Sequence, residues 1–161
     1  MYRVTHALSV GRFLTPERVP AARQLGVTHV LNVSDTPNLV DAGPDTFAEV
    51  AWEPLPDFCR IPEHRAAVVL HTLHRLAAQP GAHVYVHCVA GRQRSPTVLW
   101  LYLIACGLAP DTSRDWIEVA SPDAVPGYHR LADEDLVRFA QTHGTGWFLP
   151  LPRGEILVPV R

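Results

Sequence analysis

A chain of 161 residues, 47% hydrophobic and 19% charged, is long enough for one domain with a proper core. A net charge of −2 excludes bulk attraction to nucleic acid or to an anionic membrane surface, so any positive field has to be local. Three cysteines (Cys59, Cys88, Cys106) are too few for a disulfide scaffold and fit a reducing, cytoplasmic setting. The N-terminal residues lack the apolar core of a signal peptide, and no run approaches the ~20 apolar residues of a membrane span.

In chain order, a first strand is expected to end near residues 10–14. Thr15-Pro16-Glu17 then reads as a helix start, with a hydroxyl cap, proline in the first turn and an acid beside it, and Gly26 as its stop. Val27–Val33 is a short β-branched run suited to a buried parallel strand. Residues 34–46 read as loop or a brief helix, Phe47–Trp52 as a third strand, and the prolines of 53–57 forbid regular structure there. From Pro62 to Gln79 apolar residues recur at three and four spacings, which predicts a helix stopped by Pro80-Gly81. Ala82–Cys88 is the next strand and Ser95–Cys106 the next helix, followed by helices over 112–120 and 131–142. The apolar, proline-rich tail is expected to pack over the domain or to add an edge strand. Strands alternating with helices predict an α/β domain with a mostly parallel central sheet flanked by helices.

The most informative stretch joins that last strand to its helix: His87-Cys88-Val89-Ala90-Gly91-Arg92-Gln93-Arg94-Ser95. The strand delivers Cys88 to the carboxyl end of the sheet, where open α/β folds place ligands. Ser95-Pro96 reads as a helix cap with proline at the first helical position, so the loop rests on a helix N-terminus, where free amides and the dipole attract an anion. Gly91 permits a tight turn and close approach to a ligand. Arg94 offers a fork for two phosphate oxygens, which lysine cannot match, and the same field favours a thiolate at Cys88. Ser95 can donate a hydrogen bond that eases departure of that thiolate. A buried cysteine beside a chance arginine would not call for strand, glycine, arginine and helix start in this order.

His87-Cys88, five residues, then Arg94-Ser95 resembles the signature of the cysteine-dependent protein tyrosine phosphatases, above all the small dual-specificity phosphatases. The resemblance runs over about 10–140; Gly26–Val33 is similar to the family's early strand and Leu101–Ile104 to its helix after the loop. It implies a phosphotyrosine phosphatase-like fold, one domain over 1–161 with a catalytic core of about 10–142 and an apolar tail over 143–161. It also implies phosphomonoester hydrolysis through a phosphocysteine, with Cys88 as nucleophile, phosphate held by residues 89–94, and no cofactor. The substrate is then a phosphorylated protein or a small phosphorylated molecule. Gln93 stands where many members carry a small hydroxyl residue.

The leaving oxygen needs a proton, so a carboxylic acid must reach the loop from elsewhere. Asp57 follows a strand in a proline-rich loop and precedes Cys88 by 31 positions, a separation similar to that in small dual-specificity phosphatases. Asp35, Glu53 and Glu63 are the other acids considered, Asp35 first among them. Asn32 is read either as a brace for the phosphate loop or as a turn former. His87 is expected to hydrogen-bond loop carbonyls and orient Cys88, not to carry a proton. Cys59, two residues after Asp57, either reaches Cys88 as a protective disulfide or is passive, and Cys106 reads as core. His71 with His74 and His83 with His87 lack the spacing and companions of a metal site, so no metal is expected. Arg92 is either a solvated rim residue or a contact for a second anionic group. The short chain predicts a shallow pocket open to phosphoserine and phosphothreonine as well as phosphotyrosine. Sulfurtransferase loops are usually one residue shorter between cysteine and arginine. Arsenate reductases of the small phosphatase type place their cysteine near the N-terminus. A phosphate-binding module without turnover would usually have lost the cysteine, the arginine or the acid.

Overall fold

A computed structural model describes residues 1–147 and 154–160. Alternating apolar side chains decide how its sheet is covered. On β5 (Val84–His87), Val84 and Val86 enter one apolar cluster while Tyr85 enters another; on β3 (His29–Asn32), Leu31 and Val30 divide in the same way. Successive strand side chains face opposite sides, so both faces of this sheet are buried.

The larger cluster lies under α2 (Glu63–Ala77), α3 (Arg94–Ala105), α4 (Pro110–Ala120) and α5 (Glu134–Trp147). The smaller one lies under α1 (Val19–Gln24) and the loop around Val40 and Phe47. Strands β1 (Tyr2–Arg3), β2 (Leu8–Gly11), β5, β3 and β4 (Glu49–Trp52) stand in that spatial order. All neighbours pair parallel except β1, which runs antiparallel on the edge. The expected mostly parallel α/β sheet is therefore present, with an edge strand that sequence reading did not separate from β2.

Helix α3 is buried along its whole length, as its unbroken apolar run Val98–Ala105 requires. Its start differs from expectation: the helix begins at Arg94, with Gln93 as the capping residue, and not at Ser95-Pro96. The Ser95 hydroxyl is engaged elsewhere, on the Gly11 carbonyl at 3.2 Å and on Cys88 Sγ at 3.3 Å, so it does not cap. Pro96 then falls at the third helical position, where an amide would have had no intrahelical acceptor anyway. The helix expected from Thr15 opens with a 3₁₀ turn over Pro16–Arg18, and Thr15 makes no side-chain capping bond. Residues 34–46 are loop without a helix, and the last two helices start at Pro110 and Glu134.

The tail is described in part. Residues 148–153 lie outside the described residues. Beyond them Ile156 is buried in a 3₁₀ turn and Thr5 forms an isolated antiparallel bridge with Pro159, so the described part of the tail packs on the domain and adds no strand to the sheet. Among the described residues no helix is long and apolar enough to cross a membrane.

Candidate active site

Strand β5 lies between β2 and β3, so the residue after it emerges at the centre of the sheet's carboxyl edge. That residue is Cys88, 2% exposed. Its Sγ accepts the Gly91 N–H at 3.2 Å and the Ser95 O–H at 3.3 Å, so two donors hold the sulfur as an acceptor. Gly91 makes the loop possible. Its φ is +74°, and a Cβ there would lie 2.4 Å from the Gly11 carbonyl carbon, so only glycine lets the loop fold back against the end of β2. The Phe13 amide closes the contact by donating to the Val89 carbonyl at 3.0 Å.

Arg94, at the first position of α3, is buried, and its guanidinium is anchored by the loops that follow β3 and β4. Nη1 donates to Asp35 Oδ1 at 2.8 Å and to the Leu55 carbonyl at 3.0 Å, while Nη2 stands 3.5 Å from Asp57 Oδ2. The bond to Arg94 holds the Asp35 carboxyl below its ordinary range. Cys88, Val89, Ala90, Arg92, Gln93 and Arg94 line a cavity of about 250 Å³ whose remaining wall is Asp57 and Phe58. The expected nucleophile, phosphate loop, arginine and acid thus share one cavity. Glu53 is instead bound to Arg65 at 3.3 Å and Thr72 at 2.9 Å, and Glu63 faces Arg60. Neither lines the cavity, nor does Asp35.

Of the two readings of Asn32, the structure bears out the turn former. Its amide does not reach the Cys88 loop: Oδ1 accepts the Ser34 N–H and O–H at 2.9 and 2.7 Å, and Nδ2 donates to the Thr36 carbonyl and to Asn38. It forms the turn that carries Asp35 to Arg94, so its influence on the loop is indirect. Cys59 is exposed and free while Cys88 is buried and free. Burial pushes the free thiol of Cys106 up to about 12. His74 is tied to the Tyr102 hydroxyl at 2.9 Å inside the core, and no three His, Cys, Asp or Glu side chains gather as metal ligands among the described residues.

His87 sits behind the loop, its Nδ1 3.3 Å from the Cys88 carbonyl, stacked on Tyr85 at 5.6 Å and met edge-on by Phe13. Burial lowers its pKa to about 4, and burial followed by Arg3 lowers that of His83 to the same level. Both therefore fold neutral. Because the unfolded chain binds these protons near 6.5, their stabilisation is complete above that pH and is lost as pH falls toward 4. Unfolding by urea at pH 7 and pH 5 is expected to show a loss of roughly 2 kcal/mol per histidine. Substitution of either by glutamine should reduce that difference, and an unchanged pH dependence would contradict neutral burial.

Several parts of the site carry no sequence signal of their own. Gly11 and the Leu55 carbonyl act through backbone, and Asp35, a candidate acid by sequence, is a clamp on Arg94. Arg92 is exposed, but its carbonyl accepts the Val125 amide at 2.7 Å and its Nε faces the Asp123 carbonyl at 3.4 Å. Thr97 Oγ1 accepts the amides of Gly127 and Tyr128 at 3.2 and 3.3 Å. The segment 121–130 is thereby pinned beside the phosphate loop.

Residues 6–136 match a family model described as Swiss Army Knife protein, DSP-PTPase phosphatase domain. The chain belongs to this phosphatase family. Dual specificity protein phosphatase 26 of Bos taurus is 34% identical over 87 residues, 51% of this chain and 40% of the relative. The match thus spans well under half the length of that relative. Among solved structures, PTPMT1 superposes with a TM-score of 0.71 at 17% identity, covering 90% of this chain and 96% of that one. Human DUSP28 superposes with a TM-score of 0.69 at 20% identity, covering 91% and 99%. At these identities the structural likenesses show the DSP-PTPase fold alone.

Proposed function

We propose that this DSP-PTPase domain hydrolyses phosphomonoesters, with phosphorylated protein side chains as its first substrates, in two steps through a phosphocysteine. The observation that carries the reading is the convergence of Cys88 Sγ, the Arg94 guanidinium and the Asp57 carboxyl group on one small cavity. Cys88 attacks phosphorus in line, a sulfur–phosphorus bond forms and the ester oxygen leaves, taking a proton from Asp57. The guanidinium and the amides of residues 89–94 hold the equatorial oxygens, so the loop itself supplies the positive charge the reaction needs. Water then transfers a proton to the Asp57 carboxylate and attacks phosphorus. The sulfur departs toward the Ser95 hydroxyl and Gly91 amide that already face it. The three cysteines are free, and a reducing compartment such as the cytoplasm suits a reaction that needs Cys88 reduced.

The test is turnover of p-nitrophenyl phosphate and of a phosphopeptide by freshly reduced protein in the presence of a chelator. Turnover of both is expected; none with either would overturn the reading in favour of a phosphate-binding module. A finer prediction concerns the acid. Asp57→Asn should lower kcat on a phosphothreonine peptide by on the order of 10²-fold. The effect on p-nitrophenyl phosphate should be smaller, because p-nitrophenolate leaves without a proton. Equal losses on both substrates would remove Asp57 from the role of acid.

A further inference from the structure

An ion pair outside the cavity has a geometry that exposed pairs seldom reach. Arg60 and Asp133 stand 73 positions apart, and the guanidinium meets the carboxylate as a fork, Nε to Oδ2 at 2.5 Å and Nη2 to Oδ1 at 3.1 Å. Asp133 Oδ1 also accepts the Leu136 amide at 2.9 Å and so caps the first turn of α5. The bond to Arg60, followed by that amide, holds the Asp133 carboxyl below its ordinary range. Exposed ion pairs add little to stability as a rule, and these two side chains are 40% and 46% exposed. A fixed fork has a different use: it orients what it joins.

What it joins is the loop of the acid and the body that carries the phosphate loop. Arg60 follows Asp57 by three positions, in the irregular stretch between β4 and α2. Asp57 itself is weakly held. Its side chain is 41% exposed, Oδ2 lies 3.5 Å from Arg94 Nη2, and Oδ1 accepts the amide of its own neighbour Phe58 at 3.1 Å. At Phe58 the chain turns through φ +53°, a conformation that a bulky residue keeps only under constraint. The constraint comes from both ends. Upstream, the Leu55 amide donates to the Val33 carbonyl at 3.2 Å; downstream, the Ile61 amide donates to the Leu131 carbonyl at 2.8 Å beside the fork. The segment that receives the fork is in turn tied to the phosphate loop, through the Val125 amide on the Arg92 carbonyl and the amides of Gly127 and Tyr128 on Thr97. Acid and nucleophile are thereby referred to one frame.

We infer that Arg60 and Asp133 are positioning residues for the general acid: their fork sets where the Asp57 carboxyl group stands relative to Cys88 and the leaving oxygen. The inference rests on the phosphatase reading and adds to it two residues that do not touch the substrate. Proton transfer tolerates little error, since donor and acceptor must come within about 3 Å and a misplacement of about 1 Å costs up to about 100-fold.

The experiment uses two variants that break the fork from opposite sides. Arg60→Gln removes the guanidinium. Asp133→Asn keeps an oxygen for the Leu136 amide, so α5 stays capped, but loses the charge and the second acceptor. kcat and KM are measured on a phosphothreonine peptide and on p-nitrophenyl phosphate, with urea unfolding as a check on the fold. Each variant is expected to lower kcat on the peptide by about 10-fold at unchanged KM, while turnover of p-nitrophenyl phosphate, whose leaving group departs without a proton, changes by less than about twofold. The double variant should be no worse than either single one, because both break the same contact. Arg60→Gln added to Asp57→Asn should cost nothing further on the peptide, since no acid is left to place.

A peptide kcat at the wild-type level in either single variant, or equal losses on the two substrates, would overturn the inference while leaving the phosphatase reading intact. So would losses that multiply in the double variant, or a further loss on the peptide in the Asp57→Asn background. Turnover of neither substrate by wild type would sink both readings.

Discussion

Cys88→Ser is expected to reduce turnover of p-nitrophenyl phosphate by on the order of 10⁴-fold or more while leaving the fold intact. The substitution is nearly isosteric at a position only 2% exposed, and the Gly91 amide and Ser95 hydroxyl can donate to an oxygen as they do to sulfur. What disappears is the nucleophile: a serine hydroxyl here has no base to take its proton. His87 faces the Cys88 carbonyl and not its sulfur, and the acid across the cavity is reserved for the leaving oxygen. Steady-state kinetics in chelator, paired with urea unfolding of both proteins, makes the measurement. Activity that survives the change in a folded protein would mean that another group attacks phosphorus, and the phosphocysteine route would be abandoned.

Arg94→Lys should lower kcat/KM by on the order of 10³-fold, although the positive charge is kept. The guanidinium performs two tasks at once. Nη1 is held by Asp35 at 2.8 Å and the Leu55 carbonyl at 3.0 Å, and the planar fork thereby presents its remaining edge to the cavity in a fixed direction. An ammonium can satisfy Asp35 or a phosphate oxygen, but it cannot span both with the same geometry. Asp35→Asn, which weakens the clamp without removing the fork, should produce a smaller loss in the same assay. A lysine variant within about tenfold of wild type would show that charge alone suffices and that the fork is not needed.

These two expectations rest on features that differ in how openly the sequence displays them. The Cys88 loop is local. Strand, cysteine, glycine, arginine and apolar helix occur within one short stretch, so the chain by itself determines that a thiol and a guanidinium share a turn at a sheet edge. The alternation of β3 and β5 and the apolar run of α3 likewise determine an α/β sheet buried on both faces, because strand periodicity and helix burial are properties of neighbouring residues. Asp57 was legible only through the prolines that keep its loop irregular and through a family resemblance.

Tertiary structure alone decided the rest. Ser95 looked like a helix cap and is instead held between Gly11 and the nucleophile. Asn32 is open between brace and turn former in the sequence, and the fold shows it forming the turn that brings Asp35 to Arg94. Phe58 gives no local sign of lining the Cys88 cavity; the bond of Arg60 to Asp133 and the edge-on contact with Tyr128 fix the loop that puts it there. Asn32 is decided by near neighbours, Ser34, Thr36 and Asn38, whereas Ser95 meets Gly11 and Phe58 meets Tyr128 only because the fold brings distant parts of the chain together at one edge of the sheet. Local chemistry is written in local sequence; which distant side chain or carbonyl meets it is a consequence of topology, and no short-range pattern encodes that.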